Sequence, residues 1–156
     1  MMKLTFTVNG KKRTCRVRGH ETLLDVLRNH LDLKGAKDGC STGDCGACAV
    51  IVDGQLVNSC LMLAIQARGS KVTTIEGIGS SRRLHDLQRA FIREGAVQCG
   101  YCTPAMILAA KNLLDHQTNP SEETIRNEIS GVLCRCTGYN SIVRAIQVAS
   151  KRRIRR

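Results

Sequence analysis

The chain has 156 residues, which is enough for one ordinary domain or for two small domains with modest cores. It is too short to be a large enzyme with several cofactor-binding domains of its own. Hydrophobic residues make up 42% of the chain, whereas aromatic residues make up only 3% and Trp is absent. We therefore expect a globular protein whose core is built mainly from aliphatic side chains.

The formal charge of +11 is concentrated near the ends of the chain, in KKR at 11–13 and in the tail KRRIRR at 151–156. Nucleic-acid binding would also need an organised basic and aromatic face, and the few aromatic residues are too scattered to form one. They are Phe6, Phe91, Tyr101 and Tyr139. No nucleic-acid partner is predicted, and we expect the tail to be a solvated end, with docking on an acidic partner as the alternative.

Cysteine is unusually abundant, with nine residues. Residues 1–20 contain no apolar run of the secretory type, and no later stretch approaches the ~18 apolar residues that a membrane span needs. We therefore expect a cytoplasmic protein without a membrane span. In a reducing compartment, and with an odd number of cysteines, a metal site is favoured over a disulfide framework.

The first half of the sequence predicts a mixed β-sheet. Alternating segments flank Asn9-Gly10 and Asp53-Gly54, which are strong signals for β-hairpin turns. The segment KVTTIEG at 71–77 is predicted to be a further short strand.

One helix is predicted between the two hairpins. Leu23, Leu27 and Leu31 form a single helical stripe, and Thr22 and Asp25 are placed to form a capping box at its start. This helix would cover the first hairpin.

The second half of the sequence predicts four helices after a break near 77–81. They are expected over 84–94, from Thr103-Pro104 onward, after Asn119-Pro120-Ser121, and over SIVRAIQVASKRR at 141–153. The prediction is therefore an α+β chain with two domains, at 1–78 and 79–156.

The loop KDGCSTGDCGAC at 37–48 contains three cysteines, Cys40, Cys45 and Cys48, with the spacing C-x4-C-x2-C. Plant-type [2Fe-2S] sites use this spacing together with a distant fourth cysteine. If the second hairpin has a two-residue turn, Cys60 returns to the same end of that hairpin as Cys48 and completes the set. The glycines of the loop would let backbone N–H groups turn toward the sulfur atoms.

A second set of four cysteines lies in the other half. Cys99 and Cys102 form a C-x2-C pair just before a predicted helix, and Cys134 and Cys136 follow after 31 residues. Four thiolates suit one [2Fe-2S] cluster, but zinc also takes four cysteines in C-x2-4-C pairs, so both metals remain open from the spacing alone. Cys15 alternates with Val17 on a strand and is predicted to be a buried thiol outside both sets.

The chain resembles the small iron–sulfur subunit of the molybdenum hydroxylases, the family of xanthine dehydrogenase, aldehyde oxidase and carbon monoxide dehydrogenase. The resemblance covers roughly residues 3 to 150, and it rests on four motifs in the family's order: GCSTGDCGAC, NSC, QCGYCTP and LCRCTGY. Two motif positions depart from many relatives, which have Gly-Asn-Leu before C-R-C and Pro-Gly after C-x2-C-T. This chain has Gly131-Val132-Leu133 and Pro104-Ala105 at those positions. The differences leave the cysteine ligands unchanged. They concern the packing near the pterin cofactor of the family, and the subfamily to which the chain belongs.

The resemblance implies a ferredoxin-like β-grasp domain holding one [2Fe-2S] cluster, followed by a four-helix domain holding a second. It also implies partners: a large subunit with molybdopterin and molybdenum beside the helical-domain cluster, and a medium subunit with FAD nearer the β-grasp cluster, in a dimer of heterotrimers. Gln98 and the backbone of Cys136 would contact the pterin. The implied ligand sets are Cys40, Cys45, Cys48 and Cys60, and Cys99, Cys102, Cys134 and Cys136.

The sequence contains no recognisable set of catalytic base and nucleophile residues and no recognisable phosphate-binding loop. We therefore predict an electron-transfer subunit of an oxidoreductase that passes single electrons between the molybdenum centre and FAD during substrate hydroxylation. A free ferredoxin-like carrier is the alternative, although it would need only the first cluster. The substrate is selected in the large subunit and is not predicted.

Overall fold

The computed structural model describes residues 1–80 and 82–154, with the backbone alone for 152–154. Within those residues, a five-stranded sheet occupies the first half of the chain and four helices occupy the second. The predicted α+β class, with a ferredoxin-like domain followed by a helical domain, is confirmed. Arg155 and Arg156 of the basic tail lie outside the described residues.

Two hairpins and one inserted strand build the sheet, in the order β2-β1-β5-β3-β4. The turn residues Asn9, Gly10, Asp53 and Gly54 all have positive φ, as two-residue hairpin turns of the primed type require. Strand β5 pairs parallel with β1 and antiparallel with β3, so it joins the two hairpins. The strands are β1 Met2–Val8, β2 Lys11–Val17, β3 Ala49–Val52, β4 Gln55–Asn58 and β5 Lys71–Thr73.

The fifth strand is shorter than the predicted segment at 71–77. It ends at Thr73, and Ile75–Gly77 forms a 3-10 turn. The side chain of Asn9 accepts a hydrogen bond from the Thr74 amide and donates one to the Thr74 hydroxyl, each at 2.9 Å. These side-chain bonds replace the strand pairing, and an alternating sequence pattern does not reveal them.

The predicted capping box of the first helix is present. Thr22 accepts a hydrogen bond from the Asp25 amide at 3.1 Å, and the Asp25 carboxylate accepts one from the Thr22 amide at 2.9 Å. Helix α1 covers Leu23–Asp25 and continues as a π-helix over Val26–His30. Leucines spaced four apart face one side in either type of turn, so the stripe alone could not distinguish them.

The second half contains helices α2 Asp86–Arg93, α3 Thr103–His116, α4 Glu122–Ile129 and α5 Asn140–Ile154. Ser121 caps α4 by accepting from the Thr124 amide at 3.1 Å. The sequence predicts Thr103 as the N-cap of α3 and Pro104 as its first residue, but the helix begins at Thr103, because Cys102 is already in the helical region and serves as the N-cap. No helix among the described residues is long and apolar enough to cross a membrane.

Each half has its own buried core. The first is centred on the sheet and α1, and the second on the four helices, where Phe91, Ile125, Ile142 and Ile146 are fully buried. Ala49 of β3 belongs to the helical core, so the two halves pack directly against each other. Their packing brings the cysteine loops of both halves to one junction.

Candidate metal centres

The first group of thiols lies in the irregular loop at 37–48 and at the end of the second hairpin. Ser59 donates its amide to the Cys48 carbonyl at 3.4 Å, and the sulfur atoms of Cys48 and Cys60 are 3.3 Å apart. The hairpin thus places Cys60 next to Cys48, in the register expected from its two-residue turn. Cys48 is buried, and the other three cysteines of the group are half-buried.

Backbone amides of the loop point at sulfur, as the glycines suggested. The amides of Thr42 and Cys45 donate to the Cys40 sulfur at 3.5 and 3.4 Å. Gly43 and Gly46 have φ of 91° and 67°, and Gly39 leaves room for the Cys45 sulfur, which lies 2.8 Å from the place of a Cβ atom there. The loop therefore wraps around the group with its donors turned inward.

The electrostatic environments within this group differ strongly. Hydrogen bonds from Thr42, side chain first, and from the Cys45 amide lower the pKa of Cys40 to about 6. Burial, and then the neighbouring Cys48, raise the pKa of Cys60 to about 12. Burial also raises the pKa of Cys45, which lies near Cys40 and Cys48. Such a spread of pKa values is expected when several thiols lie close together.

The second group comes from the loop before α3 and the loop before α5. Cys102 is 8% exposed and lies beside Cys134, and burial followed by that neighbour raises its pKa to about 12. Cys99 and Cys136 are both exposed and lie within hydrogen-bonding reach of each other. The second group therefore has a buried side and a side open to solvent.

Two hydrogen-bonding residues hold the loop of Cys134. The Cys134 amide donates to the Tyr139 hydroxyl at 2.9 Å, and the Thr137 hydroxyl lies 3.1 Å from the Cys134 sulfur. Burial acts to raise the pKa of Cys134, but the hydrogen bonds from Thr137 and from the Cys136 amide lower it overall. Tyr139 and Thr137 were not singled out from the sequence, because a short side-chain bond within a loop leaves no periodic signal.

The thiols approach one another in pairs within each group. Cys48 lies beside Cys60, Cys102 beside Cys134, and Cys99 beside Cys136. Among the side chains that the structure describes, no three from His, Cys, Asp or Glu are arranged to hold a metal ion. In a centre with two irons, four thiolates serve two metal atoms, so two thiols side by side match the ligands of one iron.

The two groups meet where the two halves pack together. The amide of Leu133, next to Cys134, donates to the carbonyl of Cys45 at 2.9 Å. A Cβ atom on Gly46 would lie 2.1 Å from the Gly131 carbonyl oxygen, so the two ligand loops touch backbone to backbone. This contact was not predicted, because it depends on how the domains dock.

Two candidate residues remain, Gln98 and Cys15. Gln98 is exposed on the chain segment next to Cys99. Cys15 is half-buried, not fully buried as predicted, because β2 is an edge strand of the sheet. All nine cysteines are free thiols in the structure.

Comparison with known domain families matches nearly the whole chain. Residues 6–71 match the 2Fe-2S iron-sulfur cluster binding domain, and residues 74–147 match the [2Fe-2S] binding domain. The fold, the two thiol groups and these matches define an iron–sulfur electron-transfer protein with two [2Fe-2S] clusters.

Among curated proteins, the nicotinate dehydrogenase small FeS subunit of Eubacterium barkeri is 47% identical over 154 residues, which cover 97% of this chain and 98% of the relative. The nicotine 6-hydroxylase small subunit of Paenarthrobacter nicotinovorans is 45% identical over 145 residues, which cover 93% of this chain and 87% of the relative. The solved structure of quinoline 2-oxidoreductase from Pseudomonas putida 86 matches with a TM-score of 0.94 and 40% identity, covering 99% of this chain and 96% of that one. This chain belongs to the family of small iron–sulfur subunits of the molybdenum hydroxylases.

Proposed function

We propose that this chain passes single electrons from a molybdopterin–molybdenum centre on a large partner subunit to FAD on a medium partner subunit. The observation that carries the proposal is the meeting of two four-thiol groups at one junction, where Leu133 donates to the Cys45 carbonyl at 2.9 Å. Each [2Fe-2S] cluster supplies a site that takes up and releases one electron. The chain's own residues hold, insulate and tune these two sites.

We assign the ligands of the first centre to Cys40, Cys45, Cys48 and Cys60, and those of the second to Cys99, Cys102, Cys134 and Cys136. The donor set fits in its chemistry, since each group supplies four thiols and neighbouring pairs of them already lie side by side. Two thiolates on one tetrahedral metal lie roughly 3.7 Å apart when the metal–sulfur bonds are about 2.3 Å. The 3.3 Å between the Cys48 and Cys60 sulfur atoms is close to that separation.

The exposed surface around each site supports the proposed partner contacts. Beside the second site, Cys99, Cys136 and Gln98 are exposed, and Leu133 is 56% exposed. We propose that the molybdenum subunit covers this face, with Gln98 and the Cys136 backbone against the pterin. Beside the first site, the 59% exposed Leu61 follows Cys60, and we propose that the flavin subunit covers that side.

Three further expectations belong to the same proposal. We place the domain boundary between residues 78 and 79. We expect the assembly to be a dimer of heterotrimers. We also expect a cytoplasmic location, because cysteines that ligate metal stay reduced in a reducing compartment. The relatives act on different substrates, as their names nicotinate dehydrogenase and quinoline 2-oxidoreductase state, so the substrate of this complex is a property of its large subunit.

Metal analysis combined with electron paramagnetic resonance (EPR) tests this proposal. We expect about four irons and four acid-labile sulfides per chain, and two distinct signals after reduction. Cys45→Ser should remove one of the signals and Cys102→Ser the other, because each cysteine serves a different centre. About two irons per chain, zinc in place of iron, or loss of the same signal in both variants would contradict the proposal.

A further inference from the structure

Lys37 is a half-buried cation at the start of the first ligand loop. Its amide donates to the Ala47 carbonyl at 3.0 Å, and its Nζ atom donates to the Gly35 carbonyl at 3.0 Å. Both the backbone and the side-chain end of the residue are therefore held. A lysine fixed in this way at a domain junction keeps its charge at a defined place.

Tyr101 reaches Lys37 from the other half of the chain. The Nζ atom lies 5.7 Å from the centroid of the tyrosine ring, within the range of a cation–π contact. The Tyr101 hydroxyl donates to the Asp38 carbonyl at 2.6 Å, which holds the ring against the first loop. Because Tyr101 directly precedes Cys102, these contacts bring the charge of Lys37 to the second thiol group.

The charged groups around Lys37 leave its charge incompletely balanced. Burial lowers the pKa of Lys37, as does the Arg28 guanidinium, whereas the Glu76 carboxylate and the thiolate form of Cys102 raise it. A Glu76 carboxylate oxygen already accepts from the Gly35 amide at 2.7 Å. In the described part of the chain, no carboxylate lies within ion-pair distance of Nζ. The aromatic ring that Nζ contacts belongs to Tyr101, the residue next to Cys102, so the geometry directs this charge toward the second thiol group.

We propose that Lys37 raises the reduction potential of the second centre across the domain junction, and does so more than for the first centre, whose loop it begins. The inference rests on the ligand assignment of the proposed function. One electron from a reductant adds one negative charge to the centre, and a fixed cation in a poorly solvated place stabilises that charge. Lys37 is thus a positioning residue that acts through its charge and not through ligation.

An EPR-monitored redox titration of the iron-loaded protein tests the inference, with the second centre identified by the signal that Cys102→Ser removes. Lys37→Met should shift the midpoint of the second centre to lower potential and that of the first centre by less. Lys37→Arg should restore the midpoint, because a guanidinium keeps the charge and stacks on an aromatic ring. Tyr101→Leu should give a smaller shift in the same direction, since it removes only the ring that holds the lysine.

Lys34→Met is the matched control. Lys34 lies in the same segment, is paired with Asp32 at 3.2 Å and has a side chain that is 55% exposed, so its charge is screened by solvent. We expect both midpoints to stay as in the unmodified protein. A comparable shift in this control would overturn the inference, because it would show that any nearby positive charge has the same effect.

The remaining outcomes separate this inference from the proposed function. If the unmodified protein gives two diiron signals but Lys37→Met leaves the second midpoint unmoved, or moves the first as much, the inference alone is wrong. If Lys37→Met does not assemble, an unmoved second midpoint in Tyr101→Leu overturns it in the same way. Absence of two diiron signals in the unmodified protein overturns the proposed function and the inference with it.

Discussion

Cys40 and Cys102 illustrate how far the surroundings of one residue type diverge within a single chain. Cys40 lies on a loop whose amides turn toward its sulfur, and these hydrogen bonds stabilise the thiolate. Cys102 lies against the helical core at 8% exposure, where burial favours the neutral thiol. In the metal-free protein, the Cys40 thiol should therefore ionise readily, whereas the Cys102 thiol should stay neutral.

Alkylation of the gently demetallated protein, verified as folded by circular dichroism, checks this difference. We expect Cys40, with its pKa of about 6, to react first near neutral pH, and its rate to rise as the pH passes upward through about 6, because only the thiolate is nucleophilic. Cys60 and Cys102, with pKa values of about 12, should react last. Peptide mass spectrometry identifies the modified residues.

Cys15 is the internal reference for that experiment. Burial, and then the charge of Glu21, raise its pKa, so it should react more slowly than Cys40 in the metal-free protein. In the iron-loaded protein, Cys15 should be the residue that still reacts, because it is the cysteine outside both predicted ligand sets. Equal rates for Cys15 and Cys40 in the metal-free protein would contradict the assigned environments.

Some contacts of the site can be predicted from local sequence spacing, whereas others form only when the two domains dock. Cys60 could be joined to Cys48 from the sequence, because a two-residue turn fixes the register of the hairpin around it. Lys37 and Tyr101 are 64 positions apart, and their contact exists only once the two halves pack. A sequence pattern has no period that could have signalled this pair.

The elements follow their local sequence signals closely, except where side chains intervene. The hairpins and the cap of α4 were predictable because turn and cap residues act over two or three positions. The π-helical part of α1 and the early end of β5 were not, since they depend on how a leucine stripe is wound and on the Asn9 side chain reaching Thr74. Packing then decides how much each element contributes to stability.

Two isoleucines of the helical domain make that contribution measurable. Ile146 of α5 is fully buried in the helical core, whereas Ile92 of α2 is 62% exposed. We expect Ile146→Ala to lower the free energy of unfolding by about 2–5 kcal/mol, because it removes buried atoms and leaves a cavity. Ile92→Ala should change it by less than about 0.5 kcal/mol. Denaturant titration followed by circular dichroism measures both, and similar losses would contradict the assigned core.

At the scale of the whole molecule, the two domains are joined by close backbone contact as well as by the chain itself. The sequence separates a sheet-forming half from a helical half, because the period of the hydrophobic residues changes between them. It does not contain the orientation of the two halves. That orientation depends on the fit between the loops at Gly46 and Gly131, where a side chain on Gly46 would meet the Gly131 carbonyl oxygen at 2.1 Å.

Gly46→Ala therefore tests whether this contact holds the domains together. Gly54→Ala is its control, because Gly54 also has positive φ, at 84°, but has open space around the place of a Cβ atom. The control should lose only the backbone cost of about 1–2 kcal/mol. Gly46→Ala should lose about 2–5 kcal/mol, since steric overlap adds to that cost.

The two glycine variants should also differ in where the damage appears. In Gly46→Ala, hydrogen exchange of the Leu133 amide should become faster, because its bond to the Cys45 carbonyl spans the loops that the new methyl group forces apart. In Gly54→Ala that amide should stay protected, since the turn lies at the far end of its hairpin. Equal stability losses, or unchanged exchange at Leu133 in Gly46→Ala, would mean that the domains are held together by their core contacts and not by the ligand loops.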